Sequence, residues 1–391
     1  MRLSRCFLAA ILSLAIQLVA AQEVVTLLFA GDAMQHKSQL ANAARNGIYD
    51  YSSYFKHIRS EIAAADIAVV NLEVTLGGPP YTGYPQFSAP DAFASALKDA
   101  GFNLFLNANN HILDRGSRGL IRTLDVLDSM LIAHTGAFRS DDERQLRCPL
   151  MFAWNNVRFA MLNYTYGTNG IVPQAPVVVN YIDREQIRSD VRKARSLNAD
   201  IIIANMHWGD EYRLLQNREQ DELADFMIGE GIDIIMGSHP HVVQPSRIVT
   251  DYRGNISNVV VYSLGNFVSG MVAANTYGGQ IIKIVVEKAP FRKARIRSAE
   301  YALVYRHKAR VAGKVDFAVV PVAMAERSYA NDGMEPAIPL GEDDYRMMMR
   351  FAGTARDLFG RFNTGVPEYL PGIFRRDTCM APNFSARIFG D

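Results

Sequence analysis

The sequence predicts an α/β fold with a layered core. Short runs of apolar and β-branched residues recur along the 391-residue chain, and stretches with helical character lie between them. Near-continuous apolar runs suit strands that are buried on both faces of a sheet. Their alternation with helices is typical of proteins in which helices cover such a sheet.

Each predicted strand is followed by a polar cluster. The predicted strands lie at 24–32, 66–73, 102–111, 158–165, 200–210, 233–241 and 258–267. A helix is predicted at 91–101, where Asp91 is expected to cap the first turn and Gly101 to end the last one. A second helix is predicted at 183–198.

The pattern changes near residue 280. Residues 293–307, KARIRSAEYALVYRH, alternate in polarity and predict antiparallel strands. The sequence beyond Gly313 contains Met, Arg and Pro at frequent intervals. We therefore predict a core domain at 22–312 and a C-terminal extension at 313–391 that is packed on or appended to the core.

Residues 1–21 predict a secretory signal peptide. Arg2 and Arg5 precede an apolar stretch that begins at Phe7, and Val19-Ala20-Ala21 forms a small-residue cleavage site. The apolar stretch is shorter than the roughly 20 residues of a membrane span, and an uncleaved anchor is the less favoured alternative. We expect cleavage after Ala21 and an exported protein, periplasmic or extracellular.

The charge of the mature chain argues against nucleic acid as a partner. Residues 1–21 hold two arginines and no acid, so 39 Lys and Arg remain against 40 Asp and Glu. This balance leaves no basic field that would attract a polyanionic duplex. The 49% hydrophobic content is that of an ordinary globular protein.

Donor side chains stand at the carboxyl ends of five predicted strands. They are Asp32, Glu73, Asn110 with His111, His207, and His239 with His241. A single such residue is usually a cap or turn former, and an isolated His-x-His is most often ordinary packing. In α/β sheets, however, ligands gather outside the carboxyl ends of the strands. We therefore expect these side chains to converge in one pocket.

The mixture of carboxylate, amide and imidazole indicates a metal site. These donors suit Mn, Fe or Zn better than a soft metal that prefers thiolates. The donors are numerous enough for two divalent ions, the arrangement that serves phosphoryl-type displacement.

Six short motifs together carry a family resemblance. They are Gly31-Asp32, NLE at 71–73, NANNH at 107–111, HWGDEY at 207–212, GSHPHV at 237–242 and YSLGNF at 262–267. The set, which spans roughly residues 24–285, resembles the bacterial capsule-synthesis (poly-γ-glutamate, PGA-cap) family of the calcineurin-like metallophosphoesterase superfamily. This resemblance implies a four-layer α/β/β/α sandwich with a dinuclear metal centre.

The resemblance also implies a role for each donor. Asp32 matches the first metal aspartate, and Glu73 stands at the position of the bridging carboxylate. Asn110 matches the metal-bound asparagine, and His111 matches the histidine that acts as acid or stabilises the transition state. The later metal histidines correspond to His207, His239 and His241.

Two positions depart from the superfamily pattern. Met34 stands where the usual Asp-x-His motif has its histidine, and His36 lies two residues further along. Glu73 has a longer side chain than the usual bridging aspartate. One of the two metal sites therefore lacks an imidazole that the pattern would supply.

Three further residues have open interpretations. Arg115 and Arg213 are candidate contacts for an anionic substrate; an exposed surface position explains Arg115 equally well and is slightly favoured for Arg213. Asp114 either orients His111 or simply begins a helix.

The resemblance implies an exported metal-dependent hydrolase or transferase that acts on an anionic polymer or a phosphoester. A ligase is not indicated, because the chain has neither a G-x-x-x-x-G-K-[ST] phosphate loop nor a G-x-G-x-x-G fingerprint. The alternative is a non-catalytic component that binds or guides the polymer together with other capsule-assembly proteins.

Cys148 and Cys379, the two cysteines of the mature chain, are predicted to form a disulfide. An exported chain has no reducing pool that would keep two thiols free. Counting of free thiols on the unreduced protein checks this prediction, and two titratable thiols would contradict it.

Overall fold

The computed structural model describes residues 23–311, 314–330, 338 and 340–371. The predicted signal peptide and Cys379 lie outside these residues. The strands are β1 (Glu23–Ala33), β2 (Ala44–Arg45), β3 (Ile48–Tyr49), β4 (Ile67–Leu72), β5 (Leu104–Leu106), β6 (Ala133–Thr135), β7 (Ala137–Phe138), β8 (Leu150–Trp154), β9 (Val157–Thr165), β10 (Val178–Val179), β11 (Ile201–His207), β12 (Ile234–Ser238), β13 (Ser246–Thr250), β14 (Ile256–Val261), β15 (Asn266–Val268), β16 (Gly278–Lys288), β17 (Arg295–Val311) and β18 (Lys314–Pro321).

The helices are α1 (Lys37–Ala43), α2 (Arg59–Ala63), α3 (Asp91–Ala100), α4 (Gly116–Ser129), α5 (Asp141–Arg147), α6 (Arg184–Ser196), α7 (Arg218–Glu230), α8 (Val322–Ala330) and α9 (Glu342–Phe362), and a 3-10 helix spans Ser52–Phe55. No helix within the described ranges combines the length and the hydropathy that a membrane span needs.

The strands form two parallel halves joined by antiparallel strands. β1, β4, β5 and β6 are parallel neighbours in one half, and β9, β11, β12 and β14 are parallel neighbours in the other. Antiparallel β16 extends the first half from β1, and β17 follows β16. β17 meets β14 through the single register pair Ile256 and Ile296. This narrow join allows the two halves to face each other.

Side chains of both halves share the inner core. Phe29 and Val69 of the first half belong to the same buried cluster as Met161 and Ile203 of the second half. The neighbouring residues along each strand point to the opposite face, because side chains alternate along a strand.

The outer face of each half is covered by helices. Leu28 and Val70 pack in one cluster with Phe93 and Leu97 of α3. On the second half, Leu162, Ala204, Val191 of α6 and Leu223 of α7 form a separate cluster. The order of layers is therefore helix, sheet, sheet, helix, and the predicted four-layer α/β/β/α sandwich is confirmed.

Local details differ from the sequence prediction at three places. β5 ends at Leu106, and residues 107–111 form turns instead of continuing the predicted strand. The predicted strand at 258–267 is divided between β14 and β15. Pro90 precedes the first turn of α3, so Asp91 is its first helical residue and not its cap, whereas Gly101 ends this helix with a φ of 118° as predicted.

The C-terminal part that the structure describes packs on the core. β18 pairs with β17 from Val311 and Lys314 to Val304 and Pro321, so the predicted domain boundary at 312/313 falls between two paired strands. Antiparallel pairing of β17 with β16 also confirms the strand pattern predicted at 293–307. Helix α9 places Phe351 in the inner core.

We expect Phe351→Ala to lower the free energy of unfolding by about 3–5 kcal/mol, because it removes a ring that is 2% exposed. Phe362→Ala on the same helix removes a ring that is 49% exposed and should change stability by less than about 0.5 kcal/mol. Denaturant titration of both variants measures the difference. If Phe351→Ala lowers the free energy of unfolding as little as Phe362→Ala does, Phe351 does not contribute to the core.

Candidate metal centre

The predicted donors meet at one edge of the sandwich. Asp32 and His207 lie at the carboxyl ends of β1 and β11, and the others lie within four residues of the ends of β4, β5 and β12. The parallel strands of both halves end at this edge, so donors that are distant in sequence become neighbours. The six proposed ligands are at most 3% exposed, namely Asp32, Glu73, Asn110, His207, His239 and His241.

A break in register aims Asp32 at the centre. Ala30 pairs with Val70, but Asp32 pairs with Asn71, so β1 contains one extra residue at this point. The bulge turns Asp32 to the face that Phe29 occupies. The bulge requires glycine at position 31, because a Cβ there would lie 1.9 Å from the carbonyl oxygen of Gly265.

Glu73 belongs to two groups of candidate ligands. One group is Glu73, His207 and His239, and the other is Asp32, Glu73 and His241; within each group the ligand atoms lie within 4.8 Å of one another. Oε1 of Glu73 is 3.8 Å from Nε2 of His207 and 3.7 Å from Nε2 of His241. A carboxylate in this place can serve two cations at once.

The amide of Asn71 holds the two carboxylates in position. Its Nδ2 donates to Oδ1 of Asp32 at 2.8 Å and to Oε2 of Glu73 at 3.2 Å. Asn71 begins the NLE motif at 71–73, but the motif by itself does not indicate this role. A usable signal was present, since alternation places Asn71 on the same face as Glu73 in an otherwise apolar strand.

The histidines after β12 adopt strained backbone conformations. His239 has a φ of 98° and His241 a φ of 58°, and such values cost about 1–3 kcal/mol each for a residue with a side chain. Oδ2 of Asp32 accepts from the backbone N–H of His239 at 3.3 Å and lies 3.1 Å from Nδ1 of His241. Oδ1 of Asn266 also lies 3.1 Å from that nitrogen.

Asn110 joins the group that contains His207. Its Oδ1 lies 2.9 Å from Nε2 of His207, so two potential ligand atoms face each other. This places an amide oxygen beside the imidazoles of His207 and His239, whose ring centroids are 4.8 Å apart.

Burial sets the protonation of the centre. Burial, and after it the charge of Asp32, raises the pKa of Glu73 well above its usual value. Burial, together with the neighbouring histidines, lowers the pKa of His207 well below its usual value and that of His239 to about 3. These imidazoles are therefore neutral at pH 7, which is the form that binds metal ions.

Unpartnered polar atoms fit a pair of divalent cations. Oε1 of Glu73 and Nδ1 of His239 are buried and have no hydrogen-bond partner among the described residues. A buried carboxylate oxygen without a partner is costly unless a cation compensates it. Two carboxylates, one amide oxygen and three imidazoles form the donor set of Mn, Fe or Zn.

His111 lies beside the centre and outside both ligand groups. Its Nδ1 is 2.8 Å from Oδ2 of Asp114, and both side chains are buried. The ring also packs edge-on against Phe87 at a centroid distance of 4.7 Å. Of the two interpretations left open for Asp114, the geometry supports orientation of His111.

His36 does not replace the histidine that is missing at Met34. Nδ1 of His36 accepts from the backbone N–H of Gly270 at 3.1 Å, and its ring packs edge-on against Phe87. Neither ligand group includes it. The group of Asp32, Glu73 and His241 therefore has one imidazole.

The two candidate substrate arginines lie outside the ligand groups. The guanidinium of Arg115 donates to the carbonyl oxygen of Pro80 at 2.7 Å and to Oγ1 of Thr82 at 3.1 Å. Arg213 is exposed, and its carbonyl oxygen accepts from the side chain of Gln244 at 2.8 Å. Their contact with a substrate stays a prediction.

The family model of the bacterial capsule synthesis protein PGA_cap matches residues 26–271, more than half of the chain. The chain belongs to this family. The "Capsule biosynthesis protein CapA" of Bacillus anthracis is 27% identical over 259 residues, which are 63% of this chain and 60% of that protein. This chain thus spans about 60% of the length of that relative.

Two further comparisons found similar proteins. The "PGA biosynthesis protein CapA" of Bacillus subtilis is 28% identical over 287 residues, 68% of this chain and 69% of that protein. Among solved structures, the calcineurin-like phosphoesterase YfkN of Bacillus subtilis is similar with a TM-score of 0.43 and 13% identity, covering 86% of this chain and 99% of that one. The fold assignment depends on the strand register and the core clusters of this chain.

We expect Glu73→Gln to lose both metal ions on dialysis, because both ligand groups contain Glu73 and the substitution replaces a shared, negatively charged carboxylate with one neutral amide oxygen. Glu211→Gln, which alters an exposed acid near the centre, should leave the metal content unchanged. Metal analysis of both dialysed variants, with circular dichroism to verify folding, provides the measurement. A folded Glu73→Gln variant that retains two ions would rule out the shared ligand.

Proposed function

We propose that this PGA_cap family member is an exported, metal-dependent hydrolase or transferase that acts on an anionic polymer or a phosphoester. The observation that carries the proposal is the sharing of Glu73 between two ligand groups beside the hydrogen-bonded pair of His111 and Asp114. The names of the Bacillus relatives, which refer to capsule and PGA biosynthesis, favour a polymer of a capsule as the substrate.

Two divalent cations fit the centre. Asp32, Glu73 and His241 would hold one ion, and Glu73, Asn110, His207 and His239 would hold the other. When bound, the ions would supply Lewis acidity toward an ester or amide oxygen and would neutralise negative charge that develops during displacement. Mn, Fe and Zn are the ions that the donor set favours.

His111 is placed to handle a proton. Because Nδ1 faces Asp114, Nε2 is the nitrogen that remains to donate a proton to a leaving oxygen. Oδ2 of Asp114 also accepts from the backbone N–H of Phe87 at 2.7 Å, which holds the carboxylate, and hence the imidazole, in one orientation. General acid catalysis needs such a fixed donor.

A structural metal centre would not require the His111–Asp114 pair. His111 belongs to neither ligand group, yet it is buried against the centre and oriented by a carboxylate. A buried ionisable pair is often no more stabilising than apolar residues of the same volume, so stability alone does not account for this pair. This observation favours catalysis over the alternative of a non-catalytic polymer-binding component.

Export and partners complete the proposal. Residues 1–21 have the pattern of a secretory signal, so we place the protein in the periplasm or outside the cell. Its partners would be the polymer or phosphoester and other capsule-assembly proteins. The near-neutral net charge offers no support for nucleic acid.

We expect His111→Ala to retain two metal ions and the fold while turnover falls by about 10²–10⁴-fold, the usual contribution of a general acid. His239→Ala should lose metal as well as turnover, since His239 belongs to a ligand group. The measurement is metal stoichiometry beside hydrolysis of a phosphodiester and of γ-polyglutamate. His57→Ala, a half-buried histidine outside the centre, is the matched control and should change neither quantity.

Two results would contradict the proposed role of His111: loss of metal in His111→Ala, or turnover equal to that of the wild type. If the metal-loaded wild type hydrolyses neither an ester nor an amide, the alternative of a polymer-binding component is favoured.

A further inference from the structure

The loop that follows β9 lies over the metal centre. Its first residue, Tyr166, donates its backbone N–H to the carbonyl oxygen of His207 at 2.9 Å. This bond ties the loop to the carboxyl end of β11, where one of the proposed ligands stands.

The Tyr166 ring forms the boundary between the proposed ligands and solvent. Its centroid is 4.5 Å from that of His239 and 6.2 Å from that of His207, to which it is nearly parallel at 11°. Tyr166 is 49% exposed, whereas the two histidines are 3% and 1% exposed. A ligand that reaches the centre from this side must therefore pass the phenol.

The side chain of Asn110 connects this loop to the metal centre. Oδ1 of Asn110 faces His207, so its Nδ2 is the atom that donates to the loop. Nδ2 donates to Oδ1 of Asn169 at 3.2 Å, and the Tyr166 side chain lies close to that of Asn110. A phenol hydroxyl carries one O–H donor, so the half-exposed Tyr166 can donate to an acceptor oxygen that arrives at the centre.

We propose that the Tyr166 hydroxyl donates a hydrogen bond to an anionic oxygen, phosphoryl or carboxylate, of the substrate bound at the metal centre. This inference rests on the proposed metal-dependent function and names one residue that binds its substrate. The hydroxyl lies beside a proposed metal ligand and at the exposed side of the centre, where a substrate oxygen must arrive.

Asn169 acts as a positioning residue in the same loop. Its φ of 51° lies in the left-handed region, which asparagine adopts more readily than most residues. This conformation brings its amide to Asn110 and to within 3.4 Å of Nδ1 of His111. Asn169 thereby holds the Asn110 amide with its Oδ1 toward His207.

The experiment separates the hydroxyl from the ring. Tyr166→Phe removes only the hydroxyl, and Tyr166→Ala also removes the ring that covers the histidines. Inorganic phosphate is the probe, because it presents anionic oxygens without requiring knowledge of the natural substrate. Isothermal titration calorimetry on metal-loaded full-length protein gives the Kd for phosphate, and metal analysis is made on the same samples.

We expect Tyr166→Phe to keep two metal ions and to weaken phosphate binding by about tenfold or more, which is the worth of a hydrogen bond to a charged group. Tyr166→Ala should weaken binding at least as much. Tyr212→Phe is the matched control: Tyr212 is 47% exposed, its ring lies 6.4 Å from that of His241, and its side chain bonds to Glu211. This variant should bind phosphate as the wild type does.

Three results would overturn the inference. They are an unchanged Kd in Tyr166→Phe, an equal loss of affinity in Tyr212→Phe, and loss of metal in Tyr166→Phe, which would mean that the hydroxyl acts only through Asn110. A metal-loaded wild type that binds no phosphate would overturn it as well. A failure of the proposed function alone gives another result. Phosphate binding would then still depend on Tyr166, but the protein would hydrolyse neither an ester nor an amide.

Discussion

The burial of two carboxylates between the halves of the sandwich is the constraint on which the site depends. Asp32 and Glu73 are fully buried, and a buried charge is costly unless it is paired or hydrogen-bonded. The amide of Asn71 satisfies one oxygen of each, but Oε1 of Glu73 has no hydrogen-bond partner among the described residues. His207 and His239 are neutral and cannot compensate a negative charge on Glu73, whose pKa burial raises, so divalent cations are the natural complement.

The surrounding backbone is shaped to meet this constraint. Gly31 gives β1 the extra residue that turns Asp32 inward, and it allows the chain at Gly265 to approach closely. Asp32 in turn holds His239 and His241 in conformations that a residue with a side chain rarely adopts. Strain of this kind persists where the neighbouring structure over-determines it, which is characteristic of functional sites.

The centre separates the groups that would hold metal from those that would meet the substrate. The proposed ligands are buried and mutually bonded, while Tyr166 stands at the exposed side and His111 is oriented from behind by Asp114. Arg115 was one of two arginines considered for an anionic substrate. Its guanidinium donates to the carbonyl oxygen of Pro80 and to Oγ1 of Thr82.

The sequence alone was sufficient for the layered α/β class, for most of its long strands, and for the six donor side chains that meet at one edge of the sandwich. These features depend on local patterns: apolar runs, their alternation with helices, and donors at strand ends. The family motifs added the four-layer arrangement. Strand ends do not follow from these patterns, since residues 107–111 form a loop after β5 where the pattern predicted a continued strand.

Other features were decided only by the tertiary structure. Asn71, Tyr166 and Asn169 gain their roles from side chains more than 30 residues away in sequence, and no local pattern records such contacts. The same holds for His36, whose ring is directed away from both ligand groups by Gly270 and Phe87. The sequence determines which donors reach the edge of a sheet, because strand direction and side-chain alternation are local properties. The packing of the two halves decides which of these donors could share a cation and which could face a substrate.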